Sequence, residues 1–229
     1  MHLLITAGPT YEPIDAVRFL GNRSSGRLGS ALADSAMEQG WSVTLLLGPN
    51  AVEPLHKGIT IIRFQSTQDL QDLLDEHLPA CDCLIMAAAV ADYRPVADEI
   101  DPDGKRKRSG GDISLSLEAT PDLLARCSSN ARQTQLLVGF ALEPANRLIS
   151  SATRKLEKKN IDLIVANELE TMDSDSIHAT LLSNPKRGLE LQLSTDGAIA
   201  KSKFAHWLLE HITPIARARA GISEHASHG

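Results

Sequence analysis

Aromatic residues make up only 3% of this 229-residue chain, and cysteine occurs three times, at Cys81, Cys83 and Cys127. Positive charge is in deficit: 23 Lys and Arg stand against 29 Asp and Glu, a net charge of −6. Each scarcity excludes something. An acidic chain with so few rings offers no stacking platform for nucleic acid, so no nucleic-acid partner is expected. Three cysteines do not build a disulfide framework. Cys81 and Cys83, two apart in an apolar run, read as small hydrophobes of a protein in a reducing cytoplasm. The longest apolar run, Leu84 to Ala91, has eight residues; a membrane helix needs about 20, so no membrane segment is expected. No charged stretch precedes the short apolar start at Leu3, which argues against a secretory leader. The eight histidines show no HxxxH or HExxH spacing, and no CxxC accompanies them, so no zinc site is read and any metal ligands stay unassigned.

What is present is a hydrophobic fraction of 42% with 23% charged residues, the balance of a folded chain with one sizeable core. Strand-like and helix-like segments alternate. Short apolar strands are read at 2–6, 42–47, 59–63, 81–90, 136–142 and 162–166. Helical periodicity is read at 23–39, 66–77, 146–159 and 198–218. Ser66 followed by Asp69 has the form of a capping box. Thr120-Pro121 reads as a helix start with Thr120 as cap and Pro121 at the first helical position. The pattern predicts an α/β, Rossmann-like, doubly wound and mainly parallel sheet. Residues 1–220 form a single domain in this reading, with 221–229 as a frayed tail. Strands near 113–117 and 179–194 are expected to form a small β subdomain or dimer contact. The charged, proline- and glycine-bearing stretch 94–112 is a candidate flap.

Ligands of such sheets bind at the carboxyl ends of the strands, and five segments there carry possible chemistry. Gly8-Pro9-Thr10, with Asn22-Arg23-Ser24-Ser25-Gly26, leads into a helix whose free N–H groups suit an anion. A capped helix packed closely through glycine explains the same residues. Ala87-Ala88-Ala89 leave backbone exposed at a strand end, and Asp92 either accepts from a ribose or base or caps a turn. Lys105-Arg106-Lys107-Arg108 is either a solvated charge run or a flap that delivers Lys105 to a polyphosphate. Thr120-Pro121-Asp122-Leu123 opens a helix, again a phosphate site or a simple cap. Phe140 ends a buried strand where it can cover a base. Lys155 and Lys159, four apart on one helix face, repel unless an anion lies between them.

In combination these segments resemble a known family. Gly8-Pro9-Thr10, Glu12-Pro13-Ile14-Asp15, Val17-Arg18-Phe19 and Asn22-Arg23-Ser24-Ser25-Gly26 are similar to the opening of bacterial phosphopantothenate–cysteine ligases. Ala88 to Arg94, the lysine loop at 105, Thr120-Pro121-Asp122, Val138 to Ala141 and Lys158-Lys159-Asn160 with Asp162 to Asn167 follow in the family's order. The resemblance covers roughly residues 3 to 195.

That resemblance implies a ligase that activates phosphopantothenate with CTP as an acyl-cytidylate, releases pyrophosphate, and joins the acyl group to L-cysteine. It implies a homodimer and a divalent cation, Mg²⁺. Carried over by motif, Asn22 and Lys105 are catalytic, and Asn22 to Gly26 (Arg23, Ser24 and Ser25 included) bind phosphopantothenate. Met86, Ala87, Ala88, Asp92, Lys105, Pro121 to Leu124, Phe140, Lys155 and Lys159 form the nucleotide site. The flavin decarboxylase domain that precedes many family members is not expected here, nor FMN. Departures from the family pattern are Tyr11, Ala16, Arg106, Arg108 and Pro144. The competing readings are an NAD(P)-binding oxidoreductase, which the missing GxGxxG disfavours, and an inactive nucleotide-binding relative.

Overall fold

A computed structural model describes residues 1–101, 104, 112, 114–169 and 174–222. Eight strands build the main sheet: β1 (His2–Ala7), β4 (Ser42–Leu47), β5 (Thr60–Arg63), β6 (Cys83–Met86), β9 (Leu136–Glu143), β10 (Leu163–Glu168), β12 (Ala179–Ser183) and β13 (Gln192–Ser194). Two-residue and three-residue strands form ribbons outside it: β2 (Tyr11–Pro13) with β3 (Phe19–Gly21), β7 (Tyr93–Pro95) with β8 (Leu117–Ala119), and β11 (Ser176–Ile177) with β14 (Ile199–Ala200). The sheet runs β13-β12-β10-β9-β6-β1-β4-β5. From β10 to β5 every pairing is parallel, whereas β12 and β13 attach antiparallel beyond β10. The order reverses beside β1, between β4 and β6, as in a dinucleotide-binding α/β sheet, and the crevice for a ligand opens there.

Among the described residues the α-helices are α1 (Arg27–Glu38), α2 (Thr67–His77), α3 (Leu123–Asn130), α4 (Leu148–Lys159) and α5 (Lys201–Arg219). They cover both faces. Leu3, Ile5 and Ala7 pack with Leu32 and Ala36 of α1 and Phe204 and Leu208 of α5. Leu4 points the other way, into a cluster with Leu70 and Leu74 of α2, Leu124 of α3 and Leu156 of α4. This two-sided burial is why the strands read as unbroken apolar runs.

Several local expectations change. The first helix begins at Arg27, not at residue 23, because Gly26 enters it with φ +70 and residues 22–26 stay extended or irregular. A Cβ on Gly29 would lie 2.3 Å from that of Ala7, so glycine lets α1 lie close against β1. Ser66 and Asp69 do form the capping box of α2. Thr120 and Pro121 are not the cap and first turn of α3; Asp122 is the cap, accepting from the Ala125 N–H at 3.1 Å. Thr120 is instead tied to the neighbouring strand end, its Oγ1 donating to the Ala91 carbonyl at 2.5 Å and its N–H to that of Asp92 at 3.0 Å.

The outer strand sits at Leu117–Ala119 rather than 113–117, where it pairs with Tyr93–Pro95. The 179–194 segment is no separate subdomain: β12 pairs directly with β10 and extends the main sheet. Gly221 and Ile222 also belong to the end of α5 rather than to a tail. The Gly221 N–H reaches the Ala218 carbonyl and the Ile222 N–H that of Arg217, a Schellman closure with Gly221 at φ +71. Segments 102–103 and 105–111 of the flap, Lys105 among them, and residues 223–229 lie outside the described residues.

Candidate active site

The floor of the site is a seam between the chain beyond β1 and the chain beyond β6. Ala87 donates its N–H to the Thr6 carbonyl at 3.1 Å, Ala89 to that of Gly8 at 2.9 Å, and Thr10 returns one to Ala89 at 3.2 Å. Two hydroxyls reinforce it: Thr6 Oγ1 accepts from the Ala88 N–H at 3.1 Å and Thr10 Oγ1 from the Ala91 N–H at 2.9 Å. Thr10 is fully buried, as is most of Glu12 (2% exposed), whose carboxylate takes the Thr67 N–H and hydroxyl at 2.9 and 2.6 Å. The opening motif is thus fixed to both the sheet and α2.

A cavity of about 650 Å³ opens above this floor. It gathers Asn22, Arg23, Met86, Ala88, Asp92, Pro121, Asp122, Leu123, Leu124, Phe140, Lys155 and Lys159 from segments spread over the chain. A smaller cavity, about 230 Å³, holds Ser24, Ser25, Gly26 and Ala87 and shares Arg23, Ala88 and Phe140 with the first. Of the residues singled out in the sequence, Lys105 and its neighbours Arg106, Lys107 and Arg108 fall outside the description.

Asn22 sits on the wall with its Nδ2 donating to the Val90 carbonyl at 2.9 Å, which fixes the amide and leaves its second N–H available. The N-terminus of α1 carries no side-chain cap, so its first N–H groups face the smaller cavity as an anion-compatible end. At the opposite wall, Lys159 Nζ lies 2.7 Å from both oxygens of Asp122, and Lys155 Nζ lies 2.7 Å from Glu143 Oε1. The repulsion expected between the two lysines is relieved by carboxylates from α3 and β9. Partial burial pushes the Asp122 carboxyl upward, but the Lys159 hydrogen bond, the Ala125 N–H and the charge of Lys158 outweigh it and hold the group below its ordinary range.

Sequence reading missed three contributors. Leu142 lines both cavities and is two residues beyond Phe140, hence on the same strand face. Glu143 was visible as the charge that ends an apolar strand. Thr6 gave no signal beyond being small and polar, whereas its partner in the seam, Thr10, stood in the Gly8-Pro9-Thr10 motif. Among the described residues no group of three His, Cys, Asp or Glu converges as a metal site, and no helix is long and apolar enough to cross a membrane.

The family model described as the DNA/pantothenate metabolism flavoprotein C-terminal domain matches residues 1–215. A protein named cysteine/cysteine sulfinic acid decarboxylase, from an unknown prokaryotic organism, is 40% identical over 202 residues, 86% of this chain and 55% of its own length. The coenzyme A biosynthesis bifunctional protein CoaBC of Vibrio vulnificus strain YJ016 is 36% identical over 201 residues, 86% of this chain and 49% of its own. The chain therefore spans about half the length of these curated relatives. The crystal structure of a CoaBC C-terminal domain superposes with a TM-score of 0.77 at 33% identity, covering 95% of this chain and 96% of that one. By the extent of these matches, this chain belongs to the DNA/pantothenate metabolism flavoprotein C-terminal domain family.

Proposed function

We propose that the chain is a phosphopantothenate–cysteine ligase of coenzyme A biosynthesis, working in the cytoplasm as a homodimer. In this reading the carboxylate of phosphopantothenate attacks the α-phosphorus of CTP, and pyrophosphate leaves. The amine of L-cysteine then attacks the acyl carbon, loses a proton and expels CMP. One observation carries the proposal: a single cavity at the reversal of strand order holds an amide donor, a helix N-terminus and two lysines.

The chemistry calls for that set. A carboxylate approaching a triphosphate brings like charges together, so rate comes from neutralisation and alignment rather than from a covalent nucleophile. Lys155, Lys159 and the N–H groups of Leu123 and Leu124 serve the phosphates, joined by Lys105. Met86, Ala87, Ala88 and Asp92 take the nucleoside, with Phe140 covering the base. Arg23, Ser24, Ser25 and Gly26 take phosphopantothenate beside the α1 N-terminus. In the second step an oxyanion grows on the acyl carbon, and Asn22 Nδ2 is the donor that steadies it. Mg²⁺ fits this site as an ion borne by the triphosphate, since the carboxylates of Asp92 and Asp122 both line the cavity. Such ions keep waters and take one or two carboxylates plus phosphate oxygens. It would supply further charge neutralisation.

The test is pyrophosphate release by the purified protein with phosphopantothenate, Mg²⁺ and either CTP or ATP, with and without L-cysteine. Cysteine-stimulated release with CTP is expected. Release with ATP alone would keep the reaction and overturn the nucleotide. A folded protein that turns over neither would sink the assignment.

A further inference from the structure

The lysines of the larger cavity are already occupied. Lys159 is held by Asp122, and Lys155 by Glu143, each at 2.7 Å. Both carboxylates come from elements other than α4. Asp122 does more: by taking the Ala125 N–H it stands as an anion at the very helix N-terminus that faces the cavity. Arg23, Lys155 and Lys159 line the cavity against Asp92 and Asp122, and Glu143 offsets the remaining charge. A wall so close to neutral attracts a polyphosphate weakly unless the lysines change partners.

We infer that Asp122 and Glu143 are exchangeable counter-ions, which hold Lys159 and Lys155 before the nucleotide binds, yield them to phosphate oxygens, and reclaim them as pyrophosphate leaves. The inference rests on the ligase reading only for the identity of the polyanion. Exposure fits exchange. One member of each pair is open to solvent, Lys155 at 41% and Asp122 at 43%, against 17% for Glu143 and 23% for Lys159, so water and salt reach and weaken both pairs. The fully buried Asp162 carboxylate, held by Arg187 and Arg219, offers no such freedom. An ammonium has three donors in rotatable array, so a lysine changes oxygen partners by a small turn of its terminal torsion. Asp122 and Glu143 are positioning residues in this scheme: they act through the lysines and set the balance between holding and releasing product.

Calorimetric titration of inorganic pyrophosphate with Mg²⁺ tests it. Glu143→Gln and Asp122→Asn are each expected to bind pyrophosphate about 3- to 10-fold more tightly than the native protein, the range of a partly exposed ion pair. Asparagine still caps α3, so the second variant keeps its helix. Glu157→Gln, which removes a charge paired with Lys186 on the outer side of α4, should leave the affinity unchanged. The deciding arm is a double-mutant cycle: with Lys155→Ala in place, Glu143→Gln should no longer tighten binding. Tightening that persists without Lys155 would mean a general field effect and overturn the exchange. So would variants that bind no tighter while the native protein binds pyrophosphate and turns over CTP, a result that leaves the ligase reading intact. A folded native protein that binds neither pyrophosphate nor CTP would overturn both.

Discussion

Arg219, the last residue of α5, lies 2.6 Å from the carboxylate of Asp162, the residue that precedes β10. Arg187 approaches the same carboxylate at 2.5 Å, and the Leu137 N–H at 2.8 Å completes its partners. The Asp162 side chain has no exposure, so these donors replace its water. The carboxylate thereby fastens the end of α5 to the starts of two adjacent strands, β9 and β10, at their amino ends.

Arg219→Ala removes one charged donor from this group and leaves Arg187. A hydrogen bond to a charged partner is worth about 1.5–3 kcal/mol, so a melting temperature lower by several degrees is expected. Removing residues 223–229 should leave melting unchanged, whereas removing 221–229 takes the Schellman closure of α5 and lowers it. Equal melting of the two truncations would refute the role given to Gly221 and Ile222.

Asn22→Asp keeps size and loses both N–H donors, and its charge opposes the Val90 carbonyl that Asn22 now binds. Pyrophosphate should still appear in a burst with CTP and phosphopantothenate, while amide formation with cysteine slows about 10²- to 10³-fold. Product formation at the native rate would remove Asn22 from the second step.

Lys105→Gln should show the opposite division: a smaller or slower pyrophosphate burst, with cysteine capture of preformed acyl-cytidylate preserved. Quenched-flow measurement of the two half-reactions distinguishes them.

The Lys159–Asp122 pair gives a pH signature. The Asp122 carboxyl titrates below its ordinary value of 3.8 in the folded protein. A depressed carboxyl stabilises the fold above its unfolded value and ceases to do so as pH falls through its folded value. Urea unfolding should therefore find Asp122→Asn less stable at pH 7, by about 0.2–1 kcal/mol for so exposed a pair. The gap should close as the pH falls past 3.8 and through the depressed folded value. A gap that is constant with pH would mean that the pair's charge is irrelevant.

All three thiols are buried. Burial pushes Cys81 up to about 11 and Cys127 up to about 12, and Cys83 well above the ordinary 9.0. Thiolate is the reactive form. A disulfide reagent at pH 8 should therefore label none of them in the native protein and all three in urea. Rapid native labelling would show that the β6 region opens far more readily than its packing implies.

The features legible in the sequence were those written in contiguous residues. Buried parallel strands declare themselves as apolar runs, and the capping box at Ser66 and Asp69 is a local pattern with a local cause. The cavity residues were legible for a different reason, as blocks of a family motif. What escaped depends on contacts distant in sequence. Thr120-Pro121 has the chemistry of a helix start, yet the Ala91 carbonyl claims the threonine hydroxyl and moves the cap to Asp122. The β2–β3 ribbon has strands of three residues, too short for any period to show. Nothing in the spacing of Lys155 and Lys159 reveals that Glu143 and Asp122 wait for them.

The packing of α5 against α1 has a consequence for the order of synthesis. Leu32, Ala33 and Ala36 are made well before Phe204, Leu208 and Ile212, which share their cluster. A chain emerging from the ribosome carries that apolar face uncovered until α5 has been translated. Premature arrest within α5 should thus yield a sticky nascent chain that depends on chaperones, even though every strand of the sheet has already been made.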